Sequence, residues 1–325
     1  MGQLDKSEKS VMAGLRWLKD HQNDNGSWSD SFQPSMTGFA CLCFLGHGET
    51  PESPEFGPTV KKGIDWLIAS GAKFDGRLCG NADFSNNSAV YEHAIAAFAL
   101  GEYYVMTKDE RVPDLLKQAI GFIVQGQASD GGWQYSYAKG PESDTSVSGW
   151  QFQALKAAHL TGLDIPGVVG ALNGALLNLK RVQAEDGSFG YRKAGDHDFS
   201  LDGVGTFCTY WWKQDKDATV RNGIEHMLRQ VGFKHPVRYK EASADLYAWY
   251  YNTQACFQFG GSAWSKWNRL YQEELVNNQS MDGSWPPCGG NAPGGELTRR
   301  PDGSGPVYRT SLCLLMLEVF YRYSR

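Results

Sequence analysis

The stretch Arg16–Trp28, RWLKDHQNDNGSW, decides the fold, because its internal spacing returns along the chain. Counting from Trp17, a glutamine follows five residues on (Gln22), a glycine nine on (Gly26) and an aromatic eleven on (Trp28). The same spacing recurs as Phe122, Gln127, Gly131 and Trp133, as Asn178, Gln183, Gly187 and Phe189, and as Glu274, Gln279, Gly283 and Trp285. Two degenerate copies lie near Trp66 (DWLIASGAKFDGRL) and His226 (EHMLRQVGF). Anchors at 17, 66, 122, 178, 226 and 274 are 49, 56, 56, 48 and 48 residues apart, so six units account for the chain, residues 1–325. A fixed period of this length is the mark of a repeat architecture.

Each unit predicts a helical hairpin. A helix carries the anchor, the Asp/Asn/Ser-Gly turn ends it through a left-handed glycine, and an aromatic packs over the corner. The glutamine is placed to bond backbone groups left open at the helix end. The second helices are expected at Met36–His47, Asn87–Met106, Asp144–Leu160, Asp202–Trp212, Asp245–Gly260 and Val307–Tyr323. The last shows helical spacing in Tyr308, Leu312, Leu315, Met316, Val319 and Phe320. Strand signals are nearly absent. Six such hairpins predict a single all-α domain, an (α/α)6 toroid with the second helices lining its centre. An open solenoid is the competing architecture.

Composition narrows the function. With 31 Lys and Arg against 36 Asp and Glu, the net charge is −5, which argues against a nucleic-acid partner. The longest apolar run, near Ser311–Leu317, is too short to span a bilayer. Met1–Ser10 (MGQLDKSEKS) is polar, as expected of a cytoplasmic protein or of an exported one whose leader has been removed. Of the seven cysteines, Cys41, Cys43, Cys256 and Cys313 read as buried apolar residues. Cys79 and Cys288 lie in Gly-rich loops and are free to pair.

The Gln-x-x-x-Gly-x-Trp corner resembles the QW motif of squalene cyclases and related terpenoid cyclases, within the wider protein-prenyltransferase β-subunit superfamily. More narrowly the chain is similar to bacterial prenyltransferase and squalene oxidase repeat proteins, on YEHAIAAFALGE, SDTSVSGWQFQALKAA and WYYNTQACFQFGG with Trp264 and Trp267. The resemblance implies a toroid and a small-molecule, apolar or isoprenoid substrate. It also implies a protonation-initiated cyclisation, with Glu142, Asp144 and Ser146 of ESDTS at the positions of a D-x-D-T-T acid motif. Asp144 would then be the proton donor, held protonated by a dry site and a neighbouring carboxylate. The alternative for Asp144 is helix capping, which favours its ionised form.

The superfamily's zinc site is not expected. Asp202 and Cys208 stand six apart rather than two, and Asp245-Leu246-Tyr247 is followed by Ala248 where a histidine ligand belongs. No metal and no cofactor are therefore expected.

The starts of the second helices offer acids, hydroxyls and aromatics. His93 is a candidate base of a carbohydrate lyase or hydrolase, with Glu92 and Tyr91 beside it, or else a buried core histidine. Adjacent helical positions point about 100° apart, so Glu92 and His93 do not share a face. Trp150, Tyr247, Trp249, Tyr250, Tyr308 and Arg309 are further candidates for contact with substrate, the aromatics equally for core packing. The Gly/Pro-rich segment 286–306 is a candidate lid, with Arg299 and Arg300 available to an anionic group. Three function classes stay open: a terpenoid-cyclase-like enzyme, a carbohydrate-active toroid, and a toroid that binds a ligand or partner without catalysis.

Overall fold

The computed structural model describes residues 2–196, 198–290 and 295–323. Five hairpins follow one another: α1 (Gly2–Asp20) with α2 (Gln33–His47), α3 (Gly57–Lys73) with α4 (Ala89–Thr107), α5 (Pro113–Gly126) with α6 (Thr145–Leu160), α7 (Val168–Val182) with α8 (Asp202–Lys213), and α9 (Ala218–Phe233) with α10 (Leu246–Phe259). The sixth pairs α11 (Gly261–Asn278) with α13 (Ser304–Leu317), with the short α12 (Gly295–Arg299) in its connection and α14 (Val319–Tyr323) after it. The expected final helix thus breaks at the fully buried Glu318. The inner helices pack in the order α2, α4, α6, α8, α10, α13, and α13 packs back on α2. The chain is an all-α toroid, closed rather than an open superhelix.

The repeated corner explains the closure. In all four full copies the glutamine side chain donates to two carbonyls, that of its own turn glycine and one in the next outer helix. Gln22 reaches Gly26 and Thr59, Gln127 reaches Gly131 and Ala171, and Gln183 reaches Gly187 and Thr219, at 2.7–3.3 Å. Gln279 reaches Gly283 at 2.8 Å and Ser10 at 2.9 Å, so the sixth corner grips the first helix. The glutamine is therefore a link between repeats rather than a local helix cap. Each turn glycine has φ between 91° and 95°. A Cβ there would also come within 2.2–2.4 Å of a backbone oxygen of the neighbouring outer helix, so only glycine fits. The indoles of Trp28, Trp133 and Trp285 are fully buried and donate to Leu18, Ile123 and Leu275 carbonyls at 2.7–2.8 Å.

All seven cysteines are buried and none forms a disulfide among the described residues, so Cys79 and Cys288 do not pair. The Cys79 thiol faces the Asn81 and Asp83 carbonyls instead. No helix among the described residues is long and apolar enough to cross a membrane.

Candidate active site

The first turns of the inner helices, together with the connections before them, enclose a cavity of about 490 Å³ at one mouth of the ring. Helical spacing aims its residues inward: Ser35, Met36 and Phe39 from α2, Tyr91, Glu92 and Ile95 from α4, Ser146 and Trp150 from α6, Tyr247 from α10 and Tyr308 from α13. Tyr135, Tyr191, Ser200 and Leu201 complete the wall from the inter-helix connections. The floor is aromatic. Trp150 stacks on Tyr250 at 5.5 Å, and Phe39 meets Trp150 and Tyr308 edge-on at 5.3 and 5.7 Å. The hollow therefore occupies the mouth and ends on this packed layer.

Part of the segment 286–306 contributes to its wall. Glu296, Leu297 and Arg300 line the cavity, while residues 291–294 lie outside the described residues. Asp302 clasps this segment to the first hairpin, accepting from Ser31 Oγ at 2.7 Å and from Arg300 Nε and Nη2 at 3.0 and 2.8 Å. Arg300 also lies over the Phe32 ring at 4.8 Å. It is engaged by Asp302 rather than free for an anion. Arg309 is buried beneath the segment, donating to the Trp285 and Thr298 carbonyls. It anchors the connection and does not line the cavity.

Four sequence candidates lie off the cavity wall. His93 Nδ1 accepts from the Leu78 amide at 2.9 Å, and Nε2 donates to the Ala119 carbonyl at 2.9 Å. Burial lowers its pKa to about 4, so it is a neutral packing residue between α4 and α5. Glu142 is exposed and lies outside the wall. Trp249 is buried against Tyr239, and Tyr250 supports the floor from below, with its hydroxyl accepting from Gln153 at 2.9 Å.

Asp144 is the N-cap of α6. Its Oδ1 accepts from the Ser146 amide at 2.8 Å, the Val147 amide at 3.3 Å and the Ser146 hydroxyl at 2.5 Å. Three donors on one oxygen make Asp144 a hydrogen-bond acceptor at the helix start, the geometry of a cap. Ser146 gives its proton to Asp144, so Tyr91 donates to Ser146 at 2.9 Å. Burial holds the Tyr91, Tyr247 and Tyr308 phenols neutral, with pKa values raised above the ordinary.

Glu92 is the buried acid on the inner-helix wall of the cavity. It is 6% exposed, and its Oε1 accepts from Ser88 Oγ at 2.9 Å. Burial raises its carboxyl to about 7, against a smaller lowering by Ser88. Its place in the first turn of α4 favours the charged form, but the helix-end field contributes less than desolvation costs.

A second raised carboxyl is Asp245, named in the sequence at the start of an inner helix and in the rejected zinc pattern but given no role in catalysis. It caps α10 through the Ala248 amide at 3.0 Å, and Ser200 Oγ lies 2.6 Å from its Oδ2 and 2.5 Å from Asp198 Oδ1. Burial, with the Asp198 charge adding to it, raises Asp245 to about 6 despite the bonds from Ala248 and Ser200.

These two acids set a pH dependence. Each binds its proton more tightly folded than unfolded, so its contribution is fully present below the ordinary carboxyl range near 4. It is lost as pH rises through about 6 for Asp245 and about 7 for Glu92. The change is at most about 3 kcal/mol for each. Thermal melts are expected to show higher stability at pH 5 than at pH 8. A flat profile over that interval contradicts the assignment.

No family model matches the chain, and no curated protein matches it by sequence. Solved structures do match over nearly the whole length. The α-1,6-mannanase GH76A of Salegentibacter sp. HEL1_6 superposes with TM-score 0.70 at 12% identity, covering 97% of this chain and 99% of that one. The cellobiose 2-epimerase of Spirochaeta thermophila gives 0.67 at 13%, covering 98% of each. A type II terpene cyclase from Scytonema, solved with its product merosterolic acid A, gives 0.65 at 14%, covering 98% of each. At these identities the likeness is one of fold. It includes toroids that act on sugars and one that acts on a terpenoid.

Proposed function

We propose that the protein is a carbohydrate-active enzyme working by general acid–base catalysis in the mouth cavity, with Glu92 as the proton donor. The observation that carries this reading is the Glu92 carboxyl, set in the cavity wall and raised to about 7. A group titrating there is suited to protonating a glycosidic oxygen or exchanging a proton beside a carbonyl near neutral pH. It is a weak acid for an alkene, which demands a far stronger donor. The wall supplies what a sugar ring needs: flat aromatic faces at Trp150 and Tyr308, and hydroxyl or amide groups at Ser35, Asn87, Ser146 and Ser200. Asp144 contributes by fixing Ser146 and, through it, the Tyr91 hydroxyl.

The second reading is cyclisation of an isoprenoid. Its support is the aromatic floor of Phe39, Trp150 and Tyr308, whose ring faces would stabilise a carbocation. One experiment separates the two. The protein is incubated with neutral and uronate-containing oligosaccharides and, in parallel, with linear isoprenoids and their diphosphates. Product from a saccharide that disappears in Glu92→Gln supports the first reading. Product from an isoprenoid moves the assignment to cyclisation. No product from either panel refutes catalysis and leaves a binding toroid.

A further inference from the structure

On the wall formed by α10 and the connection before α8, Ser200 Oγ lies 2.5 Å from Asp198 Oδ1 and 2.6 Å from Asp245 Oδ2. Both are short hydrogen-bond distances, and a serine hydroxyl has one proton to give. If both carboxyls were ionised, one of the contacts would be two oxygens with no hydrogen between them. The remaining contact therefore takes its proton from a carboxyl. Asp198 Oδ1 also accepts the Ser200 amide at 2.8 Å, whereas the Ala248 amide goes to the other oxygen of Asp245 and leaves its Oδ2 to Ser200 alone. Asp245 is the more deeply buried of the two. The proton accordingly belongs on Asp245 Oδ2, which donates to Ser200 Oγ while Ser200 donates to Asp198. Ser200 is itself part of the cavity wall, as are Tyr191 and Tyr247, so the unit opens onto the space a ligand would fill.

We propose that Asp198 and Asp245 hold one proton between them and pass it to and from the cavity through the Ser200 hydroxyl, as a second proton-transfer element opposite in role to Glu92. This rests on the acid–base reading of the same cavity. In the donating direction, the Ser200 hydroxyl proton moves to the bound molecule and the Asp245 proton moves onto Ser200 Oγ, leaving Asp245 a carboxylate. In the accepting direction, a proton from the bound molecule moves onto Ser200 Oγ and the serine's own proton moves to the Asp198 carboxylate. An acid–base enzyme needs a group in each role, and Glu92 fills only one of them.

The surroundings leave the shared proton in place. Tyr191 and Tyr308 face the pair as neutral phenols, and the Cys288 thiol is held neutral by burial. Asp144, across the mouth, adds a like charge near Tyr191 and Tyr247. His235 stacks on Phe199 at 4.3 Å, and the Arg309 cation is turned to the Trp285 and Thr298 carbonyls. His197 lies outside the described residues.

The test needs no substrate. Aspartate carboxyls are labelled selectively with carbon-13 in the full chain and followed by NMR from about pH 4 to about pH 8. One aspartate is expected to titrate near pH 6, an acid about 100-fold weaker than an ordinary one. That signal is absent in Asp245→Asn, where the amide preserves both the cap and the donor to Ser200. In Asp198→Asn it moves down toward the ordinary range, because the neighbouring charge is gone. This second variant decides the matter should Asp245→Asn fail to fold. Every aspartate titrating in the ordinary range overturns the proposal, and so does a near-neutral signal indifferent to both substitutions. In the active enzyme, Ser200→Ala is expected to remove the limb near pH 6 from the rate profile. A retained limb overturns transfer through the serine. Shared-proton titration in a protein inactive on saccharides sinks only the carbohydrate reading, and ordinary titration in an active enzyme sinks only the pair.

Discussion

Under the acid–base proposal, Glu92→Gln is expected to lower turnover by about 10²–10⁴-fold, the usual range for loss of a general acid, while leaving the fold intact. Glutamine keeps the shape and still accepts from Ser88, which donates to Glu92 Oε1. It has no proton to give. The same substitution raises stability at pH 8, because the wild-type carboxyl, titrating at about 7, must by then carry a charge in a buried site. Activity lost and alkaline stability gained together mark a buried acid that acts in the reaction. A structural glutamate would show stability loss instead. Unfolding curves at pH 5 and pH 8, with turnover on the saccharide that the wild type consumes, provide the check. Unchanged turnover removes Glu92 from the mechanism.

The second large effect concerns the corner. Trp133→Ala is expected to destabilise the protein by about 3–5 kcal/mol, the range for deleting a large buried aromatic. Its side chain is fully buried, and its indole satisfies the Ile123 carbonyl at the end of α5. Domains have only about 5–15 kcal/mol in hand, so this one change takes a large share. Its backbone matters as well. The Trp133 carbonyl accepts from the Asp144 amide at 2.9 Å, and its own amide donates to the Ser148 hydroxyl oxygen at 2.9 Å. Displacing the corner therefore displaces the cap that sets Ser146 and Tyr91. Met281, fully exposed at the tip of the sixth corner, is the control, with Met281→Ala expected within about 0.5 kcal/mol of wild type. Urea unfolding of the three proteins measures both. A Trp133→Ala variant as stable as the control would show that the corner does not hold the hairpin.

What was legible in the sequence follows from what repeats. The period near 50 and the Gln-Gly-aromatic spacing foretold the hairpins and ring, because the same corner must meet the same neighbour each time around. The glutamine's long reach was not legible, since its second partner lies about 36–44 residues downstream, or in the first helix for Gln279. At the site, the about 100° rule placed Glu92 and His93 on different faces, and they do diverge, one into the cavity and one into packing. Nothing in a single sequence said which faced inward. Asp144 drew attention as an acid motif, yet Asp-Thr-Ser is also the pattern of an aspartate capping the serine two residues on. Asp198-Phe199-Ser200 has the same pattern and the same bonds. Reading Asp-x-Ser as paired rim elements would have drawn attention to Ser200. Asp245 stays hidden at that level, because only the fold brings it 2.6 Å from a serine 45 residues earlier.

The seam between α13 and α2 also has a consequence for biogenesis. During synthesis α2 must wait, its apolar flank uncovered, until the ribosome has extruded the sixth hairpin more than 250 residues later. Contacts so distant along the chain form late and slowly. The nascent protein is thus an incomplete arc with an uncovered apolar edge, and its mouth cavity is complete only after translation has passed that last inner helix.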